Sequence, residues 1–228
     1  GADSSFRPTA DAIAARLGPR TRAVIINSPG NPTGAVCDDV DGIADLLRRR
    51  GIPWVSDEIY DAFVWTGAHR SFPTDAGFVL GGLSKTANLM GWRLGWIVCP
   101  PQWAPPLTNV HQTVATCASR LAQVAGVAAL TSGRDEIGEN IAVFRARREA
   151  VSTLLAGRVH APLDGAFYAL LHVGGDDLEL AYRLLGRGVI AIPGCGFGPA
   201  GEGWLRLAYT TAAFEAGFKT VLDCVDAS

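Results

Sequence analysis

The sequence predicts an α/β protein: a mainly parallel sheet with helices on both faces, followed by a smaller C-terminal α+β domain. Three observations carry this. Short apolar runs that end in polar residues alternate with helical stripes through the first half of the chain. Those runs are continuous rather than alternating, as in strands covered on both faces. After about residue 133 the regular alternation of strand and helix breaks down, which marks an α+β arrangement. The expected division is a larger domain over residues 1–132 and a smaller one over residues 133–228.

The elements follow in order. Ala23-Val24-Ile25-Ile26-Asn27 is the first strand. Asp38 and Asp39 offer N-caps for a helix running to Arg50, with Val40, Ile43, Leu46 and Leu47 on one face and Gly51 as its stop. Ile52 to Ser56 is the second strand, ending at Asp57; Phe78 to Leu80 is the third and Arg93 to Val98 the fourth. Strands joined by helical crossovers imply a mainly parallel sheet. Ligands of such sheets gather outside the carboxyl ends of the strands. Asn31, Asp57 and Lys85 each lie just past such an end, so one crevice can hold all three. Pro100-Pro101 and Pro105-Pro106 punctuate the chain before a small-residue helix from about Gln112 to Leu130. A longer helix runs from about Asp135 to Leu155, striped by Ile137, Ile141, Phe144, Val151 and Leu155 and ended by Gly157. Val159-His160 and Ala166 to Leu171 read as strands, Leu178 to Leu185 as a helix, and Val189 to Ile192 and Trp204 to Tyr209 as short strands. A last helix carries Phe214, Phe218, Val221 and Val225.

Composition narrows the function classes. The chain has 228 residues, 48% hydrophobic and 18% charged, with a net charge of −2. That is enough to bury a sizeable core, and it lacks the basic footprint of a nucleic-acid binder. Arg48-Arg49-Arg50 suits a helix C-terminus, and Arg145, Arg147 and Arg148 suit a solvated helix face. Five cysteines (37, 99, 117, 195 and 224) form no CxxC pair. They imply neither a disulfide framework nor a zinc site, and read as buried thiols in a reducing, cytoplasmic setting. The histidines (69, 111, 160 and 172) have neither metal-ligand nor triad spacing and read as structural or surface residues. Ser28, Ser56 and Ser84 have no partner base, which leaves serine hydrolysis unsupported. No apolar run reaches the roughly 18–20 residues of a membrane span, and no signal-peptide pattern opens the chain. Gly1 stands where an initiator Met would, so the expectation is a part of a longer chain.

The chemistry sits in three short blocks. They are Asn27-Ser28-Pro29-Gly30-Asn31-Pro32-Thr33-Gly34, Ser56-Asp57-Glu58-Ile59-Tyr60, and Gly81-Gly82-Leu83-Ser84-Lys85-Thr86 followed by Met90-Gly91-Trp92-Arg93. Read alone, Lys85 suits a surface, Asp57 an N-cap, Tyr60 core packing, Asn31 a turn, Arg93 an ion pair, and Arg206 a buried ion pair. Together they supply what pyridoxal 5'-phosphate demands. Its aldehyde needs an amine, its ring nitrogen a carboxylate, its phenolic oxygen donors, and its phosphate a guanidinium.

These blocks resemble the fold-type I, class I/II aminotransferases, and the resemblance runs from about Phe6 to about Val225. It implies that Lys85 is the Schiff-base lysine and proton carrier. Asp57, three before the tyrosine, is then the partner of the pyridine nitrogen, in preference to Glu58. Tyr60 and Asn31 are the donors to the phenolic oxygen. Arg93, eight residues after Lys85, is implied to grip the phosphate. Arg206, in Trp204-Leu205-Arg206-Leu207-Ala208, is implied to bind the substrate α-carboxylate, with Asn31 beside it and the turn Pro193 to Gly198 close by. Gly82 stands where the family has a phosphate-binding Ser, and Ser84 or backbone amides are the candidate replacements. The family's earlier segment lies outside this sequence. It carries a phosphate-binding glycine loop, an aromatic ring stacked on the cofactor and an N-terminal arm. A chain without it is expected to expose sheet edge and apolar surface.

The function implied is transfer of an amino group from an α-amino acid to a 2-oxo acid, in a homodimer when full length, with no nucleic-acid or membrane partner. A β-lyase of the same fold, such as a carbon–sulfur lyase, uses the same residues. A truncated, non-catalytic interaction domain is the reading favoured by Gly82 and by the lack of the earlier segment, and opposed by the retained Asn31, Asp57, Tyr60, Lys85, Arg93 and Arg206.

Overall fold

The computed structural model describes residues 6–227. By contact they part into two compact units, one of Arg7–Pro29 and Cys37–Ile141, the other of Phe6, Gly30–Val36 and residues 142–227. A division at 132/133 differs from this in three places: Phe6, Gly30–Val36 and residues 133–141. Residues 133–141 go with the first unit, because one helix, α6 (Arg134–Leu154), runs unbroken through that point. Gly30–Val36 goes with the second unit. There Gly34 donates its amide to Gly30 O and accepts from Gly165 N, both at 2.8 Å. Gly34 has φ +68, and a Cβ would meet Pro162 O at 2.9 Å, so both conformation and space require glycine.

The first unit holds β1 (Val24–Asn27), β2 (Trp54–Asp57), β3 (Phe78–Gly82) and β4 (Gly95–Val98) in that spatial order. Strands β1, β2 and β3 are parallel, with Asn27 level with Asp57 and Asp57 level with Leu80. The functional strand ends are therefore in one row. Strand β4 runs antiparallel to β3 and sets Gly95 opposite Gly82. A hairpin-like return of this kind needs no full crossover helix; only the short helix α3 (Leu83–Thr86) and a turn intervene.

Helix α2 (Val40–Arg50) packs Val40, Ile43, Ala44 and Leu47 with Ile26, Trp54, Phe72 and Val79 in one core. Each such fully buried aliphatic side chain contributes roughly 1.5–3 kcal/mol. Gly51 closes the helix in the left-handed region at φ 63, the usual C-terminal stop. Asp39 makes no side-chain cap; its Oδ2 instead accepts from Ala10 N at 2.7 Å and ties down helix α1 (Ala10–Ala14). Arg48 is paired with both Asp45 and Asp75.

The single small-residue helix expected over residues 112–130 is two helices, α4 (Ala104–Ala115) and α5 (Arg120–Thr131). Pro105 and Pro106 start α4 instead of breaking it, since proline suits a first turn whose amides lack partners anyway. Neither helix has a deep apolar face here: α4 buries no residue and α5 only Ala122 and Gly126. Strand β4 is exposed along its whole length.

The second unit has an antiparallel sheet in the order β5 (Tyr168–His172), β7 (Trp204–Ala208), β6 (Ile192–Pro193). With it are α7 (Asp177–Leu185), capped by Asp176, and α8 (Phe214–Asp226). Val151, Leu155, Leu171, Leu184, Leu205 and Val221 are fully buried. Val159-His160 forms no strand, only one bridge from His160 to Leu171. Arg147 donates to Tyr209 O and Thr210 O, and Arg148 to Leu163 O, so these two cations cap backbone carbonyls and are not a free solvated face. No helix among the described residues is long and apolar enough to cross a membrane.

Candidate active site

In the first unit a cavity of about 420 Å³ opens at the strand ends, a size usual for small-molecule sites. Asp57, Ser84, Lys85 and Arg93 supply its polar walls, and Ile59, Leu80, Met90 and Leu94 much of the rest. Each polar group arrives by a different local device. Asp57 ends β2; its Oδ1 accepts from Ile59 N at 3.2 Å and its carbonyl from Ser28 N at 3.1 Å and Asn27 Nδ2 at 3.2 Å. Ser84 and Lys85 lie on α3, which begins as β3 ends. Arg93 sits in the left-handed region at φ 56, unusual for a side chain of this size, and its Nη1 donates to Met90 O at 2.9 Å. Tyr60 is buried, and its ring centroid is 5.8 Å from Lys85 Nζ.

Two adjacent carboxylates meet different surroundings, because successive residues of a strand face opposite ways. Asp57 lines the cavity; Glu58 does not, and is buried against Ser56, His69 and Phe72. Gly82 is also explained by packing. A Cβ there would lie 3.0 Å from both Leu94 O and Ile59 Cδ1, and 3.2 Å from Gly95 Cα. A side chain at this position needs these neighbours to give by a few tenths of an ångström.

Asn31 and Arg206 belong to the second unit. Arg206 Nη1 donates to Asn31 Oδ1 at 3.0 Å. The guanidinium carbon stands 4.7 Å from the Tyr168 ring centroid and 5.4 Å from that of Phe197. Its Nε is buried with no hydrogen-bond partner among the described residues. A guanidinium held between two aromatic faces with donors to spare is prepared for an anion, and carboxylates match its planar fork. The two aromatic neighbours escape sequence reading: Tyr168 is 38 residues from Arg206 and reads as an ordinary strand residue. The turn holding Phe197 is visible as Gly-Cys-Gly-Phe-Gly, without indicating where the ring points.

Comparison with known proteins gives the family. The sequence profile of aminotransferase class I and II matches residues 2–217, so the chain belongs to that family, whose members depend on pyridoxal phosphate. It is 31% identical over 223 residues to a probable aspartate aminotransferase of Methanocaldococcus jannaschii, covering 92% of this chain and 59% of that protein. It is 32% identical over 226 residues to aromatic-amino-acid aminotransferase 2 of Thermococcus litoralis, covering 92% and 58%. The crystal structure of an aspartate aminotransferase from Thermotoga maritima superposes with a TM-score of 0.90 at 28% identity, covering all of this chain and 62% of that one. The chain thus spans about three fifths of the length of the relatives it matches. The cavity's donor set fits the family's cofactor: an amine, a carboxylate, a guanidinium and a hydroxyl stand among apolar walls that suit a flat ring.

Proposed function

We propose that this chain carries the cofactor-holding and carboxylate-binding residues of an aminotransferase, which moves the amino group of an α-amino acid to a 2-oxo acid. The observation that carries the reading is the cavity whose walls include both the Asp57 carboxylate and the Lys85 amine. When bound, pyridoxal phosphate supplies an electron sink for the negative charge left when the substrate Cα loses its proton.

The chain's own groups do the rest. Lys85 would supply the amine that holds the aldehyde carbon and, once the substrate amine has replaced it, Nζ would carry the proton between Cα and that carbon. Asp57 keeps a proton on the ring nitrogen. Tyr60 Oη and the Asn31 amide nitrogen donate to the phenolic oxygen, and Asn31 Oδ1 accepts from Arg206. Arg93 and Ser84 hold the phosphate. Arg206 takes the α-carboxylate, and Tyr168 and Phe197 hold its plane. The relatives' names span aspartate and aromatic substrates, and an α-carboxylate is what those amino acids share.

We further propose a homodimer for the assembled protein and a cytoplasmic setting. The first is supported by the exposed apolar residues of α4 and α5, Val114 at 80% and Leu121 at 73% among them; the second by five free thiols. Sedimentation of the assembled protein as a monomer contradicts the dimer. The reaction is tested by supplying one α-amino acid and one 2-oxo acid. Each amino acid consumed should consume one acceptor. Ammonia released with the acceptor untouched contradicts transfer and identifies a β-lyase.

A further inference from the structure

Glu58 is the strongest buried group that this chemistry does not use. It is 4% exposed, and an interior carboxylate is tolerated only when its oxygens are satisfied. Oε1 accepts from Ser56 Oγ at 2.8 Å and from Phe72 N at 2.9 Å, and Oε2 faces His69 Nε2 at 2.8 Å. Burial alone pushes the acid's pKa up. His69, the Phe72 amide and the Ser71 and Ser56 hydroxyls together outweigh that and bring it below the ordinary value, so the group is anionic.

Its place in the chain gives this anion a consequence. Ser56 and Glu58 face one way from the end of β2, and Asp57 faces the other, into the cavity. His69 and Phe72 belong to the long connection from β2 to β3, the same connection that holds Tyr60. Glu58 therefore clamps that connection to the strand end, one residue after Asp57 and two before Tyr60. His69 commits Nε2 to the carboxylate and leaves Nδ1 buried with no partner among the described residues. The ring is thus placed for Glu58 alone.

We propose that Glu58 and His69 are positioning residues: a buried latch that sets the direction of the Asp57 carboxylate and the Tyr60 hydroxyl. This rests on the reading of Asp57 and Tyr60 as cofactor-holding groups. Anchored second-row partners of this kind are worth about tenfold or more in ligand affinity.

The test compares H69L, which removes the donor, with H69Q, whose amide can still donate to Glu58. Two quantities are read on the purified protein: pyridoxal phosphate affinity by absorbance titration, and amide hydrogen exchange of residues 57–60 without cofactor. The latch predicts that H69L weakens affinity about tenfold and speeds exchange at 57–60, while H69Q stays within about twofold of wild type in both. Affinity and local exchange unchanged in H69L, with only the melting temperature lowered, overturn the proposal, as does H69Q behaving like H69L. If H69L does not fold, S56A removes one donor to Glu58 and must move both readouts in the same direction by less; no movement overturns the latch. Failure of the underlying function is seen separately, as a wild-type protein whose cofactor band is the same in K85A. The exchange arm then still decides the latch.

Discussion

The two sets of polar side chains are held in different ways. Asp57 ends β2, Ser84 and Lys85 lie in the short helix α3, and Arg93 stands in the turn before β4, all around an open cavity. Arg206 stands mid-strand on β7, between two aromatic rings and bonded to Asn31. The first set is aimed by backbone geometry, down to the left-handed φ of Arg93. The second is aimed by packing. Substitutions in the first set should therefore change cofactor chemistry and kcat, whereas those in the second should change KM for the amino acid.

Lys85→Ala sharpens the contrast most. It removes both the amine and the proton carrier, and kcat should fall by about 10³-fold or more, with the visible cofactor band altered. An unaltered band and rate would take Lys85 out of its role. Asp57→Asn keeps the shape and removes the charge proposed to hold the ring proton. Cofactor should still bind, while kcat falls by about 10²–10³-fold; single-turnover rates equal to wild type contradict the assignment. Arg206→Lys trades a planar fork for a point charge, and KM should rise by about tenfold with kcat little changed. A change in phosphate affinity with KM constant would move Arg206 to the other set. Phe197→Ala is the smallest. Losing one cation–π face of about 0.5–1 kcal/mol should raise KM two- to fivefold, roughly, and leave cofactor affinity alone. If it lowers cofactor affinity instead, the separation of the two sets fails.

Much of this was legible in the sequence for a physical reason. Strand-end polar residues interrupt continuous apolar runs, so Asn31, Asp57 and Lys85 stand out where an α/β sheet keeps its ligands. The core of α2 is equally plain, since Val40, Ile43 and Leu47 repeat on one face and Gly51 ends the helix in the conformation it favours. Pairings across sequence distance were not legible. His69 reads as a lone histidine because its partner lies 11 residues away and next to a more conspicuous acid. The Tyr168 and Phe197 faces of Arg206 depend on strand pairing and on a turn that no period encodes. Helices α4 and α5 were merged because small apolar residues run through both without a periodic face, and the break at Thr116, with φ 61, has no glycine or proline to announce it.

The central claim is that the amine of Lys85 is the group that holds the cofactor. The chain has only two lysines, Lys85 and Lys219, so borohydride reduction of the pyridoxal-phosphate-loaded protein followed by peptide mapping decides it in one step. The account predicts the cofactor mass on the peptide containing Lys85. The mass on Lys219, or on neither lysine, would contradict it.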